Sequence, residues 1–319
     1  NNRIAKLDVA TSENSIQESI TQTYVQILYA AEAVKVNENT LKVSEAQRDR
    51  GKELLAAGSI AKSDLAQLEA QCSTDKYQLV TAQATLQDYK LQLKQLLELD
   101  GEEEMQLTLP QLVDADVLSP LPGKSEVYKS ALVLRPEIEA SRLSVETSKL
   151  DIDIARSGYR PNISLSAGIG TNHTTGSDFT FSEQVKNGWN NSIGVTLSVP
   201  IFNNRQTKSS IQKAKLQQQS SQLELQNQQK ILFKTIEGLW LDANSAQQQY
   251  AAATEKLRST QTSFDLVSEQ FNLGMKNTVD LLTEKNNLLS AQQEQLQAKY
   301  MVILNAKLLH FYAGDEINL

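Results

Sequence analysis

Apolar residues recur at two different spacings along this chain, and the change of spacing divides it. From Ile4 to about Ala57 they fall three and four apart, with Ile16, Ile20, Tyr24, Ile27, Leu28, Ala31 and Val34 on one stripe of a long helix. Residues 60–99 repeat the pattern through Leu65, Leu68, Leu79, Leu86, Leu93 and Leu96, and Asp100-Gly101 is expected to break it. Residues 101–124 gather Pro110, Pro120 and Pro122 with Gly101 and Gly123, so they read as an irregular connector. Helix resumes near Ser125. Arg135-Pro136-Glu137 then opens a helix, or reopens it after a kink, that runs to about Ser157, since Pro suits a first helical turn. Between Tyr159 and Pro200 the period falls to two. Ile163, Leu165, Ala167 and Ile169 alternate with Ser164, Ser166, Gly168 and Gly170, and Ile193, Val195, Leu197 and Val199 alternate with Ser192, Gly194, Thr196 and Ser198. Two strands of about ten residues follow from this, each apolar on one face and small or polar on the other. The link 171–190 is polar, with Phe179, Phe181 and Trp189 in it. After Pro200-Ile201-Phe202 the helical period returns and runs without Pro to Leu273. About 69 residues at 1.5 Å each make roughly 100 Å, the length of a coiled coil or a helical tube. A return helix runs from about Thr278 to Tyr312, and Gly314 ends it.

The helical part is a duplication. Gly58-Ser-Ile-Ala-Lys-Ser-Asp64-Leu65 matches Gly274-Met-Lys-Asn-Thr-Val-Asp280-Leu281 at an offset of 216, and the same offset places Tyr24 on Trp240 and Ile20 on Ile236. Each Gly stands between two long helical patterns. It is expected to end one helix in a left-handed conformation, and the Ser, Thr or Asp that follows is expected to cap the next. Each copy is therefore a hairpin of two antiparallel helices with a carboxylate at its tip. Leu65, Leu68, Leu281 and Leu282 are expected to form the seam between the hairpins there. The fold class is mainly α: two long helical hairpins, with one β-hairpin of membrane-barrel type. The segments are 1–100 (first hairpin), 101–134 (connector), 135–161 (helix leading to the strands), 162–200 (strand pair with its loop) and 201–319 (second hairpin).

Composition supports thin helical layers. Of 319 residues only 13 are Gly and 6 Pro, and aromatics are 6%, too few for a thick globular core. The net charge of −7, with no basic stripe, argues against nucleic acid. Cys72 is the only cysteine and His173 and His310 lie far apart, so neither a disulfide framework nor a metal set is expected. No phosphate loop, nucleophile–base pair or cofactor motif occurs, so no enzyme and no cofactor are expected. Glu102-Glu103-Glu104 reads as a solvated cluster. No run of 18 apolar residues exists to form a transmembrane helix. Asn1 falls inside a helical pattern with no cap or signal sequence, so the start is expected to be artificial.

The strand pair leaves two readings open. A soluble hairpin would bury its apolar face against helices, whereas a membrane barrel would turn that face to lipid, with strands of about 9–11 residues and aromatic rims. Two strands cannot close a barrel. Closure needs other chains and further residues: by the duplication the first copy is expected to extend roughly 80 residues upstream of Asn1 and to carry its own strand pair there. The chain by itself is then expected not to form a closed pore. The two readings correspond to a membrane duct and to a soluble helical scaffold or tether.

Four segments in order carry a resemblance: Leu134-Arg135-Pro136-Glu137-Ile138; Gly158-Tyr159-Arg160-Pro161 before a strand; Leu197-Ser198-Val199-Pro200-Ile201-Phe202 before a long helix; and Gly274 with Asp280-Leu281-Leu282. Over essentially its whole length the chain resembles the TolC-type outer-membrane efflux family. That resemblance implies a homotrimer in the outer membrane of a Gram-negative bacterium, with a shared twelve-stranded barrel and a long periplasmic helical tube. It implies that the tube's tip meets a periplasmic adaptor protein joined to an inner-membrane pump, and that the assembly exports substrates without chemistry of its own. Carried over residue by residue, it makes Asp280, Asp64, Lys276 and Phe271 the gate. Thr283, followed by Glu284, stands where some members have a second carboxylate. The same resemblance makes Gly58, Ser59, Gly274 and Met275 the adaptor-docking tips. Ile163, Leu165, Ile169, Ile193, Val195 and Leu197 would form the lipid face.

Overall fold

In a computed structural model of the protein, residues 2–99, 107, 117–176 and 178–315 are described. Asn1, Asp100-Gly101, the Glu102–Glu104 cluster and Pro110 lie outside them. The described elements are α1 (Asn2–Ala56), α2 (Lys62–Leu96), α3 (Lys124–Leu134), α4 (Pro136–Ser157), β1 (Asn162–Gly170), α5 (Phe181–Asn187), β2 (Asn190–Ser198), α6 (Gln206–Asn272) and α7 (Thr278–Ala313). The chain divides into two compact units: residues 140–227 with the first few residues, and residues 5–139 with 228–319.

The larger unit holds the hairpins. Its core is made of narrow seams. Val25, Leu28, Tyr250, Leu296, Tyr300 and Val302 form one seam, and Leu54, Leu68, Phe264, Phe271, Leu281 and Leu288 form another near the helix turns. The second seam contains the expected Leu68 and Leu281, buried to 2% and 0% exposure, with Leu282 packed on it. Leu65 comes close at Gly51, where an added Cβ would lie 2.5 Å from Leu68 Cδ1 and 3.5 Å from Leu65 Cδ1. Gly51 thus lets α1 approach α2 more nearly than a side chain would permit.

The duplication is visible in the helix ends. Gly58 and Gly274 have φ of 74° and 75°. Gly58 N–H donates to Leu55 O at 2.9 Å and Ser59 N–H to Leu54 O at 2.8 Å; Gly274 N–H donates to Phe271 O at 2.9 Å and Met275 N–H to Gln270 O at 2.8 Å. This paired arrangement satisfies the last carbonyls of both helices. A second pair was hidden in the sequence. Gly314 ends α7 at φ 104°, and Glu98, at the same offset of 216, ends α2 at φ 54° with the same hydrogen bonds. The break expected at Asp100-Gly101 therefore comes earlier, at Glu98, whose side chain does not advertise a left-handed backbone.

The link from α3 to α4 is fixed by Arg135. Its backbone is extended, with ψ of 123°, because the following Pro136 excludes the helical region. Its guanidinium donates to Glu18 at 2.8 Å and Glu137 at 2.9 Å and lies 4.2 Å from the centre of the Tyr312 ring. Burial opposes the charge, but the two carboxylates outweigh it and hold the pKa above the ordinary arginine value. Burial, with Glu18 next to it, pushes the Tyr312 phenol well above its ordinary range. The Leu134–Ile138 segment is therefore a structural joint binding α1, α3, α4 and α7.

The smaller unit carries the strands. β1 and β2 form a two-stranded antiparallel sheet with Ile163 opposite Leu197, Leu165 opposite Val195 and Ala167 opposite Ile193. Ser164–Thr196, Ser166–Gly194 and Gly168–Ser192 occupy the other face. The link between the strands is not wholly irregular. Thr180 caps α5: its N–H donates to Glu183 Oε2 at 2.9 Å, and its hydroxyl accepts from Glu183 N–H at 3.5 Å. Thr-x-x-Glu is the local signal for this reciprocal cap. Among the described residues no helix is long and apolar enough to cross a membrane.

Candidate functional site

The two helix turns lie side by side. Arg50 Nη2 donates to Asn272 O at 3.3 Å, and Leu54, Leu68, Phe271 and Leu281 meet beneath the turns. At the first turn Ala61, not Ser59, is the residue before the helix, and it has no side-chain acceptor. Asp64 serves instead, its Oδ2 accepting from Ala61 N–H at 3.0 Å. At the second turn Asn277 caps α7 by accepting from Asp280 N–H at 2.8 Å. The Asp280 carboxylate is thereby released from capping and lies 3.4 Å from Lys276, with both side chains 41% exposed.

Lys276 meets Asp280 of its own turn, four positions away. Phe271 does not line a surface: at 2% exposure its ring belongs to the apolar seam. Thr283 donates back to Val279 O at 2.8 Å, while Glu284 turns toward α6 and accepts from Ser263 at 2.9 Å. Gly58, Ser59, Gly274 and Met275 stand exposed at the turns, and Leu273, Met275 and Val279 make an apolar group of 69%, 71% and 58% exposure. The surrounding surface is strongly paired. Asp49 accepts from Arg48 and Lys52, which hold its carboxyl below the usual range.

Deeper in the hairpins lies a group with no sequence signature. Asp75 on α2 accepts from Ser44 on α1 and from Lys285 on α7, and its other oxygen accepts from Gln71 at 2.9 Å. Ser44, Asp75 and Lys285 are all within 3% exposure. The arrangement joins the first hairpin to the second through a buried ion pair.

Cys72 is a buried residue of α2. His173 stacks edge-on against Phe181, and His310 pairs with Asp315 at 2.9 Å. Among the described residues no cluster of three His, Cys, Asp or Glu side chains could hold a metal. What the tips can do is electrostatic and steric: present a carboxylate beside a mobile cation, and offer apolar surface to a partner.

The six apolar strand residues named above are 62% to 83% exposed. They form one continuous apolar face, exposed among the described residues.

The chain is similar to known proteins. The outer membrane efflux protein BepC of Brucella suis biovar 1 is 25% identical over 295 residues, covering 92% of this chain and 61% of that protein. The outer membrane protein TolC of Escherichia coli is 22% identical over 302 residues, covering 92% of this chain and 60% of its own length. The chain thus spans about three fifths of the length of these relatives. The outer-membrane channel OprN shares the fold, with a TM-score of 0.81 at 19% identity over 98% of this chain and 69% of that one. Residues 127–315 match the family described as outer membrane efflux protein. That span takes in the Arg135 joint, the exposed strand pair and the whole second hairpin with its Asp280 tip, and the chain belongs to the outer membrane efflux protein family.

Proposed function

We propose that this chain forms part of an outer-membrane duct, three copies of which pool their strands into one β-barrel and their helical hairpins into a periplasmic tube. The duct passes substrates from a periplasmic adaptor and an inner-membrane pump to the exterior, in efflux or type I secretion. The observation that carries this reading is the exposed face of the hairpin. Leaving six such side chains in water forgoes about 1.5–3 kcal/mol each, on the order of 10 kcal/mol together. In lipid the same face is satisfied. Nine residues per strand, at roughly 3.4 Å each, span about 30 Å, and at a tilt of about 40° they fill the apolar band of about 25 Å in a membrane barrel. The opposite face of Ser, Thr and Gly suits a water-filled lumen of low selectivity.

In this reading Asp280 and Lys276 flank the inner mouth of the tube. A threefold ring of carboxylates there concentrates cations. The exposed turns around Gly58, Ser59, Gly274 and Met275 are the docking surface for the adaptor, and the apolar group of Leu273, Met275 and Val279 supports this, since such patches favour protein contacts.

A face-specific pair of variants tests the proposal. Leu165→Arg places a charge on the lipid face and is expected to cost about 2–4 kcal/mol near the bilayer midplane. It should lower the amount of folded trimer recovered from outer membranes. Ser166→Arg, one residue along on the lumen face, should leave insertion intact and alter ion selectivity in planar bilayers. Equal recovery of the two variants would refute the assignment of faces.

A further inference from the structure

The link between the strands carries an apolar groove of about 440 Å³, lined by Phe181, Ser182, Val185, Lys186 and Trp189. Phe181 and Trp189 are 65% and 58% exposed although both are large and aromatic. Helix α5 brings Phe181 and Val185 onto one face, four positions apart, and Trp189 follows just past its end at Gly188. Of the five lining residues only Lys186 carries charge. Glu183 does not line the groove, and Thr180 engages its carboxylate with a hydroxyl and an amide, which holds its pKa below the ordinary value.

The position of α5 is fixed by the residues that follow β1. Thr171 continues the alternation of Ile163, Leu165 and Ile169, and its hydroxyl donates to Val185 O at 3.1 Å. Gln184 accepts from Thr174 N–H at 2.8 Å and donates to Phe179 O at 2.8 Å. Gly188 closes α5, its N–H donating to Gln184 O at 2.7 Å, and a Cβ there would lie 2.7 Å from the same oxygen. Trp189 has the same parity as Ile193, Val195 and Leu197. Thr171, directly after β1, and Trp189, directly before β2, thus join the groove to the strand ends, and both positions continue the alternation of the apolar face.

We propose that α5 is a lipid-binding segment. The groove receives the upper part of an acyl chain of a phosphate-bearing membrane lipid, and the Lys186 ammonium reaches the lipid's phosphate. The inference rests on the reading of the hairpin as lipid-facing and adds an occupant to it. Lys is suited to the rim, because its methylene stem can follow an apolar surface while the charge stays at the headgroup level. Aromatic rings at that level are favoured for the same mixed character.

The protein has two tryptophans, Trp189 and Trp240. Trp240→Phe leaves Trp189 as the reporter. Reconstituted in phospholipid vesicles brominated near the headgroup end of the acyl chains, Trp189 is expected to lose most of its emission and to be shielded from aqueous iodide. Lys186→Glu should restore much of that emission. A control with Val195→Trp in a background lacking both natural tryptophans reports on the hairpin itself. Quenching of Val195→Trp without quenching of Trp189 would overturn the lipid site while leaving the membrane reading intact. It would point instead to cover by a neighbouring copy's link. Quenching of neither would overturn both.

Discussion

Removing Asp75 is expected to be among the most damaging single changes in the helical part of this protein. Asp75 is 1% exposed and Lys285 3%, and the carboxylate is held by Ser44 and Gln71 as well as by the ammonium. Asp75→Ala leaves a buried ammonium with only the Ser44 hydroxyl beside it. Breaking a buried pair in this way costs about 3–5 kcal/mol. A folded protein has about 5–15 kcal/mol in all, so the loss is a large part of its stability. The paired replacement Asp75→Leu with Lys285→Met removes both charges and keeps apolar volume. It is expected to be neutral, or more stable by about 1–4 kcal/mol, since the desolvation of two ions is no longer required. Urea unfolding followed by helical circular dichroism, on wild type, both single variants and the double, gives the coupling directly. The single variants should each fall far below wild type and the double should recover. Single-variant losses under about 1 kcal/mol, as for a solvated surface pair, would refute the buried-pair argument.

Leu281→Ala empties a site of 0% exposure in the seam beneath the turns and should cost about 2–5 kcal/mol in the same assay, with weaker capture of the adaptor protein. In the assembled duct Asp280→Asn should reduce block by multivalent cations in single-channel recordings; Lys276→Ala, which removes the 3.4 Å partner of Asp280, should increase that block. Tyr300 and Tyr312 have phenols raised by burial first and by Glu32 and Glu18 next. Their folded pKa values lie above the unfolded value of about 10, so their contribution to stability is complete below that pH and is lost as pH rises through the folded values. Spectrophotometric alkaline titration should show these two phenols ionising after the exposed ones, together with loss of helix.

The hairpins and strands were legible because their signals are local. A helix turn needs a left-handed residue, and Gly58 and Gly274 announce it; a strand with two unlike faces needs alternation, and residues 163–169 and 193–199 show it. The repeat was legible for the same reason, since two copies of one local rule can be laid on each other. Where the local rule used an unusual residue it was missed. Glu98 closes α2 as Gly314 closes α7, but a glutamate does not mark a positive φ. Thr180-x-x-Glu183 is a local start signal for α5, set in a link whose composition is otherwise polar. Only the tertiary structure decided which polar residues leave water. Ser44, Asp75 and Lys285 each read singly as a solvated helix position, and the pairs they form lie 31, 210 and 241 residues apart. Phe271 and Asp280 look alike as tip residues, yet one is core and the other surface, because the packing of α2, α6 and α7 sets which face is buried. Sequence periodicity fixes the faces of each element; the energy of a charge or a ring depends on what the other elements bring against that face.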